Sequence, residues 1–512
     1  MSTKANVWIP PEVLSEISNA ATEHVALISG GLRVTSLEPQ IALEYAGDPF
    51  EFPYTVSHVC SSWRSAVLCT PEVWSRLFIG AGDLWRLFKD LTYGRARSAH
   101  MLKEWTKRGG KRPRSIVLDL RFGLVPGGPY NLPVVVPRMC TAIEILLGIL
   151  SESMQYWQLL RVCVEANRDL GSNLLRCLSL PPFSGHGAVP LLEDLCILLH
   201  GYMPGANHAL FGGNTPSLTN LTLKSVRPIW PGAGSHIFSG LTCLELQYLQ
   251  NRASSAYNDA MPTYNQFRAA LSCCPDLHSL TLDGFMPNLH PAPEAGSEAS
   301  LFPLKNLETL RLSHIHDEDL ADLILYIPTR NLVELILTLR PSPERTAGEA
   351  DYNYTGFMQP LTPEPPEEPH PWHTLGKLTH LTLRTIVCED DDLIILFDRL
   401  PQLTHLELGI KKMRFLWLPT EPEPLRFALP ALAYLRVFGP ERAVAHLEAY
   451  EASFAEMMLK RVECACRKLV QLIVPGWLEA KLSEMGTSTG YTGELCVDEE
   501  TARFRDEYGY EE

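Results

Sequence analysis

Long apolar runs are scarce in this chain of 512 residues. Stretches such as 145–147 and 132–136 fall far below the roughly 20 residues that cross a bilayer, so no membrane-spanning helix is expected. Residues 1–8 lack the basic-then-apolar pattern of a secretory leader. Positive charge is also in short supply: 44 Lys and Arg stand against 59 Asp and Glu, a net charge of −15. Such a chain repels the phosphates that give general nucleic-acid affinity, so neither nucleic acid nor membrane is expected as a partner. The 13 cysteines are odd in number, scattered from Cys60 to Cys496, and often sit at apolar pattern positions. That usage predicts reduced, buried thiols in the cytoplasm or nucleus instead of a disulfide framework.

Catalytic signatures are missing too. Gly110-Lys111 and Gly376-Lys377 lack the rest of a phosphate-binding loop, and Gly232-Ala-Gly-Ser-His236 only superficially suggests a nucleophile elbow. His314, His316 and the acids at 317–319 are expected in a solvated turn. The aspartates at 390–392 fit a helix N-terminus, where the dipole favours negative charge. Cys464 and Cys466 have no second ligand pair nearby, so zinc is not expected. Cys60 falls on an apolar helix face and reads as core. No metal, no cofactor and no enzymatic activity are expected.

What the chain does have is a repeat. An apolar fraction of 46% and a charged fraction of 20% are globular values, and 40 prolines with 34 glycines imply frequent turns. Leu-x-x-Leu-x-Leu, with small variations, begins at Leu175, Leu192, Leu218, Leu241, Leu277, Leu307, Leu332, Leu378, Leu403, Leu432 and Leu469. Trp157-x-x-Leu160-x-Val162 is a plausible earlier copy, and Ile116-x-Leu118-x-Leu120 a weaker opening strand. Successive copies are 17 to 46 residues apart, with four steps inside the 20–29 range of leucine-rich repeats and one more at its edge. In a short strand the second and third leucines point to one side, so stacked copies bury a continuous ladder that no single copy can.

Helices should cover the outer side. Residues 317–327 carry Leu320, Leu323, Ile324 and Ile327 at helical spacing before Pro328. Residues 390–400, before Pro401, and 267–274, before Pro275, repeat the arrangement. The expected fold class is therefore α/β, a leucine-rich-repeat horseshoe (a solenoid) over residues 115–480. A proline-rich loop leaves it at about 340–374, and an acidic, partly disordered tail follows over 481–512.

Residues 1–80 have a different texture and are expected to form a small all-α domain. Residues 8–17 read as a short amphipathic helix entered through prolines. Val56, Val59, Cys60, Trp63, Ala66 and Val67 share one helical face, and Thr70-Pro71-Glu-Val-Trp74 follows. Pro10, Pro11, Glu12, Val13, Leu14, Ile17, Val59, Cys60, Trp63, Arg64, Thr70, Pro71 and Trp74 resemble the F-box, as found in the large F-box family of mushroom-forming fungi. The resemblance covers about residues 8–78; Ile9 replaces the usual leucine, and residues 18–55 form a long insertion containing Gly30-Gly31. It implies docking on a Skp-type adaptor, and through it a cullin, by Pro10, Pro11, Leu14, Ile17, Val56, Val59, Cys60, Trp63, Val67 and Trp74. The alternative for Trp63 and Trp74 is that they are core residues of a small helical domain.

Between F-box and repeats, residues 81–114 are expected to be a basic linker helix. Residues 86–114 hold ten Lys and Arg against Asp90 and Glu104, a local +8. Phosphate or nucleic-acid binding is conceivable there, but a solvated linker fits an acidic chain better. The third and fifth positions of each repeat would line the concave surface. Arg311, Glu334, His380, Arg384, His405, Glu407, Tyr434 and Arg436 are the candidate substrate contacts there. The expected function is substrate recognition for a cullin–RING (SCF-type) ubiquitin ligase, with an unknown protein substrate. The alternative is a leucine-rich-repeat interaction scaffold with no ligase role.

Overall fold

A computed structural model describes residues 13, 61–121, 135–165, 168–183, 189–200, 207–231, 237–248, 261–289, 301–315, 317–338, 374–384, 390–409, 429–438, 470–474 and 494–497. The chain falls into two units, Met1–Leu241 with Gln250–Ala260, and Thr242–Leu249 with Met261–Glu512.

In the first unit, α1 (Ser61–Cys69) leads through a 3-10 turn, Pro71–Trp74, into β1 (Arg76–Gly80). Two helices, α2 (Ala81–Thr92) and α3 (Arg97–Arg108), then return the chain to β2 (Arg114–Leu120). The remaining elements are α4 (Val135–Ser151), β3 (Trp157–Glu165), α5 (Arg168–Ser179), β4 (Asp194–His200) and β5 (Asn220–Lys224). The five strands lie side by side in chain order, and every pairing is parallel.

Three expectations change here. The sheet begins at Arg76, inside the stretch assigned to the N-terminal domain, because Leu77 and Ile79 alternate inward and are buried. The basic stretch is not a linker but the crossover between β1 and β2. Leu84, Leu87 and Phe88 of α2 and Leu102 and Trp105 of α3 are buried, and both helices pack on α4. The copy read at Leu175 is part of α5, where Leu174, Leu175 and Leu178 fill one buried helical face. An i, i+3 leucine pair suits a helix as well as the start of a repeat. Gly171 of α5 lies against Leu199 of β4, close enough that a Cβ there would sit 3.5 Å from its side chain.

Trp74 ties this unit together. Its indole N–H donates to the Val67 carbonyl of α1 at 2.8 Å, and its own carbonyl accepts from the Trp105 indole at 3.0 Å. The two indoles meet edge to face with centroids 5.1 Å apart. Gly109, just past α3, is required at this junction, because a Cβ there would lie 2.9 Å from the Trp74 carbonyl oxygen. Asp90 joins α2 to α3 by accepting from the backbone N–H of Ser98 at 2.8 Å and from its hydroxyl at 2.6 Å. Those bonds hold its carboxyl below the usual aspartate range.

In the second unit the strands are β6 (Cys243–Gln247), β7 (Ser279–Asp283), β8 (Thr309–Ser313), β9 (Glu334–Thr338), β10 (His380–Arg384), β11 (His405–Gly409), β12 (Tyr434–Phe438), β13 (Gln471–Val474) and β14 (Glu494–Val497). All nine are parallel and in chain order, with leucine opposite leucine, as in Leu280, Leu310, Leu335, Leu381, Leu406, Leu435, Leu472 and Leu495. Ten of the eleven Leu-x-x-Leu-x-Leu copies thus contribute a parallel strand, and so do the two weaker ones. β14 falls in the stretch expected to be tail. The proline-rich loop, like the rest of that tail, lies outside the described residues.

The helices α6 (Tyr264–Ser272), α7 (Asp317–Ile324) and α8 (Asp390–Asp398) sit where the spacing predicts. Leu320, Leu323, Ile324 and Ile327, and likewise Leu393, Leu396, Phe397 and Leu400, are buried. Thr263 caps α6, accepting from Gln266 N–H while the Gln266 side chain returns to the Thr263 N–H. After β5, β7 and β8 one residue turns left-handed, namely Ser225, Gly284 and His314, and the next (Val226, Phe285, Ile315) dives into the core. Tyr264, Phe267, Phe302 and Tyr326 form an aromatic cluster in which Tyr264 stacks on Phe302 and Phe267 meets Phe302 edge to face.

Among the described cysteines Cys69 and Cys243 are exposed, only Cys274 is buried, and all are free, so the buried half of that expectation fails. They occupy helix flanks and outward strand positions instead. No described helix is long and apolar enough to cross a membrane.

Truncating an inward rung should cost far more than truncating its outward neighbour. Leu310→Ala is expected to lower stability by about 2–5 kcal/mol and Thr309→Ala by about 0.5 or less, read from urea midpoints. Gly109→Ala should cost about 1–3 kcal/mol by pushing α3 off the Trp74 carbonyl, measured in the same way.

Candidate interaction surface

A parallel strand with leucines facing one way must turn its intervening side chains the other way. β7, β8 and β9 show this alternation residue by residue, with inward positions buried and outward ones half-buried. Register then stacks the outward residues into rows. One row runs Thr309, Glu334, His380, His405, Tyr434, and the next runs Arg311, Ile336, Thr382, Glu407, Arg436. All eight residues expected to contact substrate therefore lie on one face of the second unit, with Arg384 one position beyond the second row.

The charges on this face are paired between adjacent strands, two pairs diagonally and Arg436–Glu407 directly across. Arg311 approaches Glu334 at 3.4 Å, Arg384 approaches Glu407 at 3.2 Å, and Arg436 approaches Glu407 at 3.8 Å. One carboxylate thus serves two guanidinium groups. Thr382, in the second row, is buried.

The histidines form a stack. His380 and His405 are nearly parallel, 13° apart with centroids separated by 4.1 Å, and Tyr434 leans on His405 at 5.2 Å. Each ring is oriented by the threonine before it. Thr379 Oγ1 lies 2.8 Å from His380 Nδ1, and Thr404 Oγ1 lies 2.9 Å from His405 Nδ1. Each hydroxyl also donates to a backbone carbonyl, Thr379 to Val333 at 3.3 Å and Thr404 to Thr379 at 3.1 Å. A hydroxyl has one proton, so where that proton goes to the carbonyl, Nδ1 carries the ring hydrogen and donates to the oxygen. In the neutral rings Nε2 is then left as an acceptor.

Sequence reasoning found the histidines but missed the threonines. The signal was a Thr-His dipeptide at one register in consecutive copies, 379–380 and 404–405. It also missed that His314, read as part of a solvated turn, is half-buried and pairs through Nδ1 with Asp283 on the neighbouring strand. Among the described residues, no group of three or more His, Cys, Asp and Glu is arranged to hold a metal ion. Cys163, on the outward side of β3, is an unsuitable nucleophile, because burial pushes its thiol up to about 12.

The residues expected to meet the adaptor fare differently. Pro10, Pro11, Leu14, Ile17, Val56, Val59 and Cys60 lie outside the described residues, and Trp63 is described only as part of α1. Val67 and Trp74 are buried, at 0% and 1% exposure, and Trp74 meets Trp105 of α3. Leu68 and Val13, both absent from the expected contacts, are the exposed apolar side chains of this region at 39% and 41%.

Neither the models of known protein families nor the curated proteins compared with the chain give a match.

The tautomer assignment is open to measurement. Long-range 1H–15N spectra above pH 7.5 should show His380 and His405 with the proton on Nδ1, and Thr404→Val should move His405 toward the Nε2-protonated form that free imidazole favours. An Nε2–H pattern in the unsubstituted chain would contradict the hydrogen-bond assignment.

Proposed function

We propose that the chain is a substrate-recognition subunit of an SCF-type ubiquitin ligase. On this reading the N-terminal region is an F-box that docks a Skp-type adaptor. The parallel strands are leucine-rich repeats, curved into a horseshoe, whose outward rows hold a protein substrate. The chain performs no bond chemistry of its own. It raises the substrate's effective concentration at the transferring enzyme, and rate follows from proximity.

The observation that carries the reading is the joining of two features in one chain. Residues 8–78 resemble an F-box, and the same chain carries parallel strands in aliphatic register, those of the second unit with a polar, self-paired outward face. Leu14, Ile17, Val59 and Trp63 supply the adaptor anchors, joined by the exposed Leu68 of α1. Arg311, Glu334, His380, Arg384, His405, Glu407, Tyr434 and Arg436 supply the substrate contacts. The second reading, a scaffold whose repeats bind a partner without ubiquitylation, is favoured by the burial of Val67 and Trp74, which removes two side chains from any adaptor contact.

Co-purification with a Skp-type adaptor separates the two. The intact chain should retain the adaptor, and Trp63→Ala combined with Leu14→Ala should weaken retention by about tenfold or more, the cost of losing two apolar anchors. No retention by the intact chain, or retention indifferent to both substitutions, leaves the scaffold reading standing.

A further inference from the structure

The basic stretch between β1 and β2, expected to be a solvated linker, is instead a rigid surface. α3 buries Leu102, Trp105 and Thr106 on one side. Its opposite side exposes Arg97, His100, Met101, Lys103 and Lys107, and Lys111 is exposed in the turn that follows. Positions 103 and 107 are one helical turn apart and neighbours on the same face, about 6 Å along the axis.

The nearby carboxylates are already engaged. Asp83 takes Arg86 at 3.3 Å, Glu104 takes Arg108 at 3.6 Å, and Glu72 takes Arg112 at 2.6 Å. Asp90 is bonded to Ser98. Arg114 is buried, donating to the Gly110 carbonyl at 2.8 Å and to that of Thr106. Lys103, Lys107 and Lys111 have no carboxylate partner among the described residues. Two such cations on one ordered helix and a third in the turn after it, in a chain of net charge −15, are a local positive feature.

We infer that the outward face of α3 docks an extended acidic peptide segment of a partner protein, with carboxylates at alternate positions. Alternate side chains of an extended chain recur at about 6.6–6.8 Å, close to the rise between cations four apart on a helix. A peptide fits this surface better than a nucleic acid on two grounds. The acidic remainder of the chain repels a long polyanion. The indole of Trp85 is also occupied, stacked on Phe88 at 4.7 Å with Lys89 over it at 5.6 Å. This inference stands on the first unit alone and does not depend on the ligase reading.

The test is fluorescence anisotropy of the full-length chain with a labelled peptide alternating Glu and Ser. The same peptide with Gln for Glu, and a single-stranded oligonucleotide of matching length, serve as competitors. Saturable binding is expected, weakening severalfold as ionic strength rises and the Debye length shrinks toward about 8 Å. Lys103→Glu with Lys107→Glu should weaken it about tenfold or more, and the milder Lys103→Gln with Lys107→Gln in the same direction, equivalent to about 1.4 kcal/mol per tenfold. Lys305→Glu, exposed in the second unit, should leave it unchanged. Absence of saturable binding, unchanged binding by both double variants, or tighter binding of the oligonucleotide than of the acidic peptide would overturn the inference.

Discussion

Register between parallel strands is the constraint on which each unit depends. Side chains on a strand alternate with a period of two, so a slip of one residue would send a whole row of leucines to the solvent and bring arginine, glutamate and histidine into the core. Leucine faces leucine from β6 to β14, and the aliphatic rows of β1 to β5 align in the same way. Each rung is affordable only because its neighbours cover it, and the aromatic cluster of Tyr264, Phe267, Phe302 and Tyr326 is buried as well. The same alternation that buries the leucines arranges the outward rows. Core and interaction surface are two readings of one register.

That duality explains why so much was legible in advance. The spacing of Leu307, Leu310 and Leu312 determines which residues face out, so Arg311, His380, His405 and Glu407 could be placed on one face without coordinates. Leu175 and Leu178 misled because a spacing of three also lies on one side of a helix, and nothing local separates the two. β1 was missed because Arg76–Gly80 carries two inward apolar residues without the preceding leucine. In α2 and α3 the basic residues overlie Leu84, Leu87, Phe88, Leu102 and Trp105, whose helical spacing beneath them builds a packed crossover where charge alone suggests a linker. Across the candidate surface, the mixed sign of the face was legible from the rows, but ring orientation was not. That depends on which acceptor each threonine proton chooses, a matter of a few tenths of an ångström that no pattern encodes.

Polar order on the outward face bears on recognition as well. Because Arg384 and Arg436 share Glu407, and Arg311 has Glu334, the long side chains there are held before any partner arrives. Such a surface loses less rotamer freedom on binding than one of free side chains. It also presents a fixed pattern of donors and acceptors, in which an arriving group of the wrong sign meets an intact ion pair and gains little.

The indole of Trp74 has a mechanical implication. Its N–H reaches the Val67 carbonyl of α1, the main-chain carbonyl of the same residue accepts from the Trp105 indole of α3, and the strand that opens the sheet starts two residues later. No slack separates the first described helix from the first strand. Whatever grips α1 inherits a heading as well as a tether: the first unit would be aimed, like a hand on a stiff wrist, instead of swinging through a cone of orientations.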